Sequence, residues 1–194
     1  MAGYFLHNNV TYFFLHIPKT GGTMWSKVFA DAGLTNGHDF LKEKPDAYSF
    51  TLIRNPLDRL VSCFSYLKNG GCWEGDAQDA EKYRIKHNSF EDWIYMLEKD
   101  PDYYFQQQHV MPMMYRIGDR DFLDYIGLFE NLIHETKRLN YIFHDRAIGD
   151  IPVINKGNHD NFDKYYTEKT KNIVEDLYKD DIKLYKEILN GKNI

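Results

Sequence analysis

Cysteine is nearly absent from this chain: there are two, Cys63 and Cys72, in 194 residues. Two thiols build no disulfide framework, and without a paired Cys or His motif they make no zinc site. Both are expected to be free thiols, with Cys63 buried beside a helical stripe and Cys72 in a glycine-rich loop. Long apolar runs are missing as well, and none approaches the ~20 residues that span a bilayer. The first ten residues, Met1 to Val10, lack the basic and apolar regions of a signal peptide. A cytoplasmic chain without a membrane segment is the expectation. Excess positive charge is also lacking, since 24 Lys and Arg stand against 29 Asp and Glu, a net charge of −5. Nucleic acid is therefore not an expected partner, and a neutral or small ligand is favoured over a polyanionic polymer. Local basic clusters, at Lys82, Arg84, Lys86 and His87 and at Arg116 and Arg120, read as parts of a mixed-charge surface. No metal-binding spacing, internal repeat, low-complexity tract or domain linker is visible.

What is present is the composition of a packed protein, 43% hydrophobic and 16% aromatic. The length suits one compact domain, residues 1–194, with a sizeable core. Strand-like runs alternate with helical patterns. That alternation predicts an α/β fold, a parallel sheet flanked by helices on both faces.

The segment Phe13-Phe14-Leu15-His16-Ile17-Pro18-Lys19-Thr20-Gly21-Gly22-Thr23 carries the most information. A strand-like run ends in a short loop of Lys, Thr and Gly. Met24, Trp25, Val28, Phe29 and Ala32 then recur at helical spacing. A helix N-terminus has unpaired N–H groups and the positive end of the helix dipole, so it attracts anions. Gly21 and Gly22 allow close approach of backbone to ligand. Lys19 adds a cation, and Thr20 and Thr23 add hydroxyls. The loop is suited to a phosphate or sulfate ester. It is not a Walker A loop, in which the Lys follows the glycines. His16 is expected to pack beneath the loop, and Trp25 in the core.

A second strand, Tyr48 to Ile53, runs into Arg54-Asn55-Pro56-Leu57-Asp58-Arg59-Leu60-Val61-Ser62. Asn55 suits an N-cap and Pro56 a first helical turn. Leu57, Leu60, Val61, Phe64 and Leu67 form an apolar stripe. Arg54 falls at the C-terminal end of a strand, where ligands bind in open α/β sheets. Ser62 lies about two turns into the helix. An Arg fork and a Ser hydroxyl can grip a further phosphate. Arg59 reads as a structural ion-pair residue.

These two segments resemble the nucleotide-binding motifs of sulfotransferases that use 3′-phosphoadenosine 5′-phosphosulfate (PAPS). Lys19-Thr20-Gly21-Gly22-Thr23 looks like their 5′-phosphosulfate loop, and Arg54 through Ser62 like their 3′-phosphate motif. The separation of 35 residues (54 − 19) also fits. Ile126-Gly127-Leu128-Phe129-Glu130-Asn131-Leu132 resembles a segment of the carbohydrate-type branch, which includes Golgi, bacterial and viral relatives. The stretch from Ile154 through Tyr165-Tyr166-Thr167 to Asp181 and Tyr185 resembles its C-terminal pattern. The resemblance covers most of the chain, from Tyr12 to Tyr185. It implies the P-loop-like sulfotransferase fold and transfer of a sulfuryl group from PAPS to a hydroxyl of a carbohydrate or small molecule, leaving 3′-phosphoadenosine 5′-phosphate (PAP). Lys19 is the candidate to neutralise the leaving group, and no metal is required. Lys156 and Gly157 stand where such enzymes close over the nucleotide.

The base that accepts the acceptor's proton is open between His38 and His109, since His is the natural base near neutral pH. Glu130 is expected to brace the fold through buried hydrogen bonds. Residues 69–88 read as an exposed excursion, in which Trp73 either stacks on a sugar or pins the loop. Ser89 to Asp92 reads as a capping box opening a helix that buries Phe90, Trp93, Ile94 and Leu97. A strand is expected over Asp124–Phe129 and a helix over Asn131–Asn140 with Leu132, Ile133, Thr136 and Leu139 inward. One long helix is expected from Thr167 to Asn190-Gly191. Two other functions fit the same residues: a nucleotide or metabolite kinase of related fold, and a non-catalytic PAP-binding protein. Oligomeric state and the acceptor's identity are not written in any motif.

Overall fold

The computed structural model describes residues 3–7, 9–22, 35–36, 42–142 and 161–191. Its strands are β1 (Gly3–His7), β2 (Val10–Leu15), β3 (Thr35–Asn36), β4 (Tyr48–Ile53) and β5 (Tyr125–Leu128). The helices among the described residues are α1 (Pro56–Lys68), α2 (Glu74–Lys82), α3 (Phe90–Lys99), α4 (Pro101–Tyr104), α5 (Met113–Ile117), α6 (Leu132–Ile142), α7 (Glu168–Leu177) and α8 (Lys179–Leu189). None of them is long and apolar enough to cross a membrane. The chain forms two compact units. One comprises Met1–Arg54, Met113–Ile154 and Leu184–Ile194, the other Asn55–Pro112 and Asn155–Lys183.

The first unit holds the sheet, in the order β3-β1-β2-β4-β5. Strands β2, β4 and β5 are parallel, as alternation of strands and helices predicts, with Leu15 opposite Thr51 and Ile53 opposite Leu128. The other two strands were not expected. β1 runs antiparallel to β2, and β3 antiparallel to β1. Asn9 makes the β1–β2 reversal with a left-handed φ of 63°, a conformation Asn tolerates better than most residues.

Side chains on a strand alternate between faces. Phe13, Leu15, Ile53, Ile126 and Leu128 cluster with Met113 and Ile117 of α5 and with Leu184 and Ile188 near the end of α8. On the opposite face the aromatic rings of Phe5, Tyr12, Phe14 and Phe50 pack together. There α6 inserts Glu135, which accepts hydrogen bonds from the Tyr125 hydroxyl and from Leu128 N–H at 3.2 Å. Helices thus cover both faces within this unit. Gly127 makes room for that carboxylate: a Cβ there would stand 2.7 Å from Glu135 Oε2 and 2.5 Å from Leu52 Cδ2. Burial pushes the Tyr125 hydroxyl pKa up, and the bond to Glu135 pushes it further. The brace is therefore Glu135 and not Glu130, which is exposed. On α6, Thr136 and Leu139 are buried as expected, but Ile133, also expected inward, is 73% exposed.

Asp124 ties the entry of β4 to the entry of β5. Its carboxylate accepts from Ser49 N–H at 2.8 Å and from Lys44 Nζ at 2.8 Å. Burial alone would raise its pKa. The Lys44 and Ser49 donors more than offset this, so the carboxyl lies below its ordinary value. A depressed folded-state pKa contributes stability above the unfolded value, about 3.9, that is lost as pH falls through the folded value. Asp124→Asn is expected to cost about 1–2 kcal/mol at pH 7. Urea titrations should show the gap between variant and wild type closing at the acid end of that window.

The second unit is helical. Asn55 caps α1 as expected, accepting from Leu57 N–H at 3.0 Å and Asp58 N–H at 3.4 Å, with Pro56 in the first turn. Leu57, Leu60, Val61, Phe64 and Leu67 are buried with the Cys63 thiol, which is in no disulfide. Ser89 caps α3 through Asp92 N–H at 3.1 Å, and Phe90, Trp93, Ile94 and Leu97 are buried. Two expectations are overturned. The stretch 69–88 is no mere excursion: it folds into α2 and buries Asp76, Ala80, Tyr83 and Ile85. The tail is two helices instead of one, interrupted at Tyr178. That residue is buried, and its hydroxyl donates to the Val110 carbonyl at 2.7 Å.

Candidate active site

Three parallel strands end at one edge of the sheet, and each releases a chain segment there. β2 leads into His16-Ile17-Pro18-Lys19-Thr20-Gly21-Gly22, β4 into Arg54, and β5 into a short 3-10 turn that begins at Phe129. This is the edge at which ligands bind in parallel α/β sheets.

The first loop is held in an unusual backbone shape. Lys19 has φ 70° and Gly21 φ 86°. A left-handed conformation at a residue with a side chain costs about 1–2 kcal/mol. The arrangement is stabilised from outside the loop: Arg54 Nη1 donates to the Lys19 carbonyl at 3.1 Å. Thr20 is buried and its hydroxyl donates to the Ile17 carbonyl at 2.8 Å, which closes the turn from within. That hydroxyl hydrogen thus serves the loop itself.

Arg54 is only 7% exposed. Its guanidinium carbon lies 4.6 Å from the centroid of the Phe129 ring. The same ring has its Cδ2 and Cε2 atoms 3.2 Å from where a Cβ on Gly21 would stand. So the glycine-bearing and arginine-bearing segments, with Lys19 and Arg54 35 positions apart, meet at the Arg54–Lys19 hydrogen bond and around the shared Phe129 ring.

At Gly22 a Cβ would run into the His16 imidazole, which lies beneath the loop as expected, stacked near Phe14 at 6.2 Å between centroids. Gly22→Ala should displace that ring. We expect a loss of about 1–3 kcal/mol in a thermal melt, and the pair Gly22→Ala with His16→Ala should recover part of it. Simple additivity of the two changes would show that the two residues do not interact.

Ser62 and His109 belong to the second unit. Ser62 is 5% exposed within α1. His109 Nε2 stands 3.6 Å from Asp76 Oδ1, and its backbone N–H donates to Gln107 Oε1 at 2.5 Å. Arg59 holds the same segment, donating to the carbonyls of His109, at 2.9 Å, and Met111. Asp76 accepts from the Tyr66 hydroxyl at 2.6 Å and from the N–H groups of Cys72 and Trp73 at 3.0 and 3.1 Å. Burial would raise the pKa of Asp76, but these donors and His109 hold it below its ordinary value. Burial and the bond to Asp76 push the Tyr66 hydroxyl up. Trp73 itself is 77% exposed, so it does not pin the loop.

A family model described as "Sulfotransferase family" matches residues 4–186 of the 194. The chain belongs to the sulfotransferase family. It is accordingly a PAPS-dependent sulfotransferase, and the match takes in the loop, Arg54 and Phe129 together. No curated protein and no solved structure matches it.

The donor set suits a doubly phosphorylated nucleotide. A lysine and an arginine lie on adjoining segments at the ligand edge of the sheet, and a guanidinium carries five N–H donors in all. Among the sequence-predicted residues of this sulfotransferase, the structure brings together Lys19, Thr20, Gly21, Gly22 and Arg54. Thr23, His38, Lys156 and Gly157 lie outside the described residues, as does the helix expected from Met24. Arg59, expected in an ion pair, is seen to hold two carbonyls of the 109–111 segment. Two contributors were not singled out from sequence, Asp76 and Glu135, and Phe129 was named only within the resembling segment 126–132, with no role at the site. Phe129 had a readable signal, since it is the first residue after a strand in a parallel sheet. Asp76 had none, lying in a polar stretch without a strong apolar period.

Proposed function

We propose that this sulfotransferase, acting as a single catalytic domain over residues 1–194, moves a sulfuryl group from PAPS to a hydroxyl of a carbohydrate or small-molecule acceptor. The observation that supports the donor side is the Arg54–Lys19 hydrogen bond, which fixes a cation-bearing loop beside a buried arginine. Lys19 neutralises charge on the oxygen that bridges phosphate and sulfate as that bond breaks. Gly21, Gly22 and Thr23 carry the 5′-phosphate, Thr20 joins them through its backbone N–H because its hydroxyl is bound to the Ile17 carbonyl, and Arg54 and Ser62 carry the 3′-phosphate. Lys156 and Gly157 close over the nucleotide. The acceptor oxygen attacks sulfur in line with the departing bisphosphate, as in phosphoryl transfer. Its proton passes to His38 or His109. Asp76 favours the second of these, because a carboxylate beside an imidazole stabilises the imidazolium that proton transfer creates. The net charge of −5 favours an acceptor that is not a polyanion.

Calorimetric titration with PAP, with 5′-AMP and with ATP plus magnesium tests the donor reading. Tight binding of PAP that depends on its 3′-phosphate is expected. Binding of ATP with magnesium in preference to PAP would overturn it and point to a kinase. If PAP binds and no hydroxyl acceptor is sulfated across a carbohydrate and metabolite screen, the non-catalytic alternative stands.

A further inference from the structure

We propose that Phe129 is a positioning residue for the donor site: it sets the direction of the Arg54 guanidinium and thereby the preference for a 3′-phosphorylated nucleotide. This rests on the reading of Arg54 as a 3′-phosphate ligand. The ring is half-buried and stands between two functional segments. One contact is its face against Arg54, 4.6 Å from guanidinium carbon to centroid. Another is its edge beside Gly21, where an added Cβ would stand 3.2 Å from the ring carbons Cδ2 and Cε2. The third side of the triangle is the bond from Arg54 Nη1 to the Lys19 carbonyl at 3.1 Å.

The chemistry of the contact explains why an aromatic ring suits this place. A guanidinium is planar, and its five N–H groups point outward in its own plane. A ring on its face restrains the plane without taking any donor, and attracts the positive charge without cancelling it. A carboxylate would restrain Arg54 as well, but would occupy two donors and neutralise the charge a phosphate needs. Because the ring edge also rests on Gly21, the arginine and the loop are referenced to one rigid side chain. The two phosphate-binding segments are thereby held at a fixed separation, as a nucleotide with phosphates at both ends requires.

The test is calorimetric titration of PAP and of 5′-AMP into wild type, Phe129→Leu, Phe129→Tyr and Arg54→Ala. Phe129→Leu removes the ring and is expected to weaken PAP about tenfold while changing 5′-AMP little, so the ratio of the two affinities falls. Phe129→Tyr keeps the ring and should keep the ratio. If the Leu variant fails to fold by circular dichroism, Phe129→Met, which has no ring but a similar volume, takes its place. An unchanged ratio in the ring-less variants, or an equal loss in Phe129→Tyr, overturns the inference. Arg54→Ala separates the two claims. If it leaves the ratio intact, Arg54 is not the 3′-phosphate ligand, and the role given to Phe129 falls with it. If it abolishes the ratio while Phe129→Leu does not, only the role of Phe129 falls.

Discussion

Lys19→Ala is expected to lower kcat by about 10²–10³ while moving the affinity for PAP far less. The magnitude is that of removing one group aimed at charge developing in a transition state. Lys19 takes part in the loop in two separable ways. Its backbone carbonyl receives the hydrogen bond from Arg54, and alanine keeps that bond. Its φ of 70° is as unfavourable for alanine as for lysine, because both carry a Cβ. The substitution therefore removes the ammonium and leaves the loop's shape and strain in place. Glycine would be a poorer test, because it would also relieve the strain. An interaction made only as the bridging bond breaks lowers kcat and kcat/KM together. Steady-state rates at saturating donor check this. A raised KM for PAPS with kcat retained would make Lys19 a ligand of the resting nucleotide and remove it from the chemical step.

The parts of this fold that sequence revealed are those fixed by neighbours in the chain. Asn55 caps α1 by bonding N–H groups two and three residues on, and Ser89 caps α3 in the same way. The loop from His16 to Gly22 is legible because the strand before it and the glycines within it are local signals. What sequence hid depends on distant partners. β3, at two residues, is too short to announce itself, and both β1 and β3 are defined by antiparallel pairing at the sheet edge. In α6 apolar periodicity chose Ile133 for the interior, but the sheet required a carboxylate there to meet Tyr125 and the Leu128 N–H. A buried acid has no apolar signature, and its partners sit on another strand. The tail is interrupted at Tyr178, whose hydroxyl meets Val110, 68 positions away. α2 is polar enough that only its packing declares it a helix. The same division runs through the site. Arg54 could be placed at a strand end by local pattern. The ring that holds it, and the carbonyl it bonds, come from segments far along the chain.

Arg54→Ala is expected to weaken PAP by about 10²–10³-fold and to lower the melting temperature, and the two effects have different origins. A charge-assisted bond to phosphate contributes about 1.5–3 kcal/mol, which alone accounts for roughly 10- to 100-fold. The remainder is architectural. With the guanidinium gone, the Lys19 carbonyl loses its donor and Phe129 loses the cation on its face, and the left-handed turn at Lys19 loses its outside support. That second loss is felt by any nucleotide that uses the loop, including 5′-AMP. The fall in 5′-AMP affinity thus measures the architectural part, and the excess fall for PAP measures the 3′-phosphate contact. Arg54→Lys refines the division. It keeps a positive charge but replaces the planar fork with a point charge that neither stacks on Phe129 in the same way nor bonds two oxygens side by side. A partial recovery of PAP affinity with little recovery of melting temperature is the expected pattern. Equal losses for PAP and 5′-AMP in Arg54→Ala would place the residue in the architecture of the loop alone and leave the 3′-phosphate to another side chain.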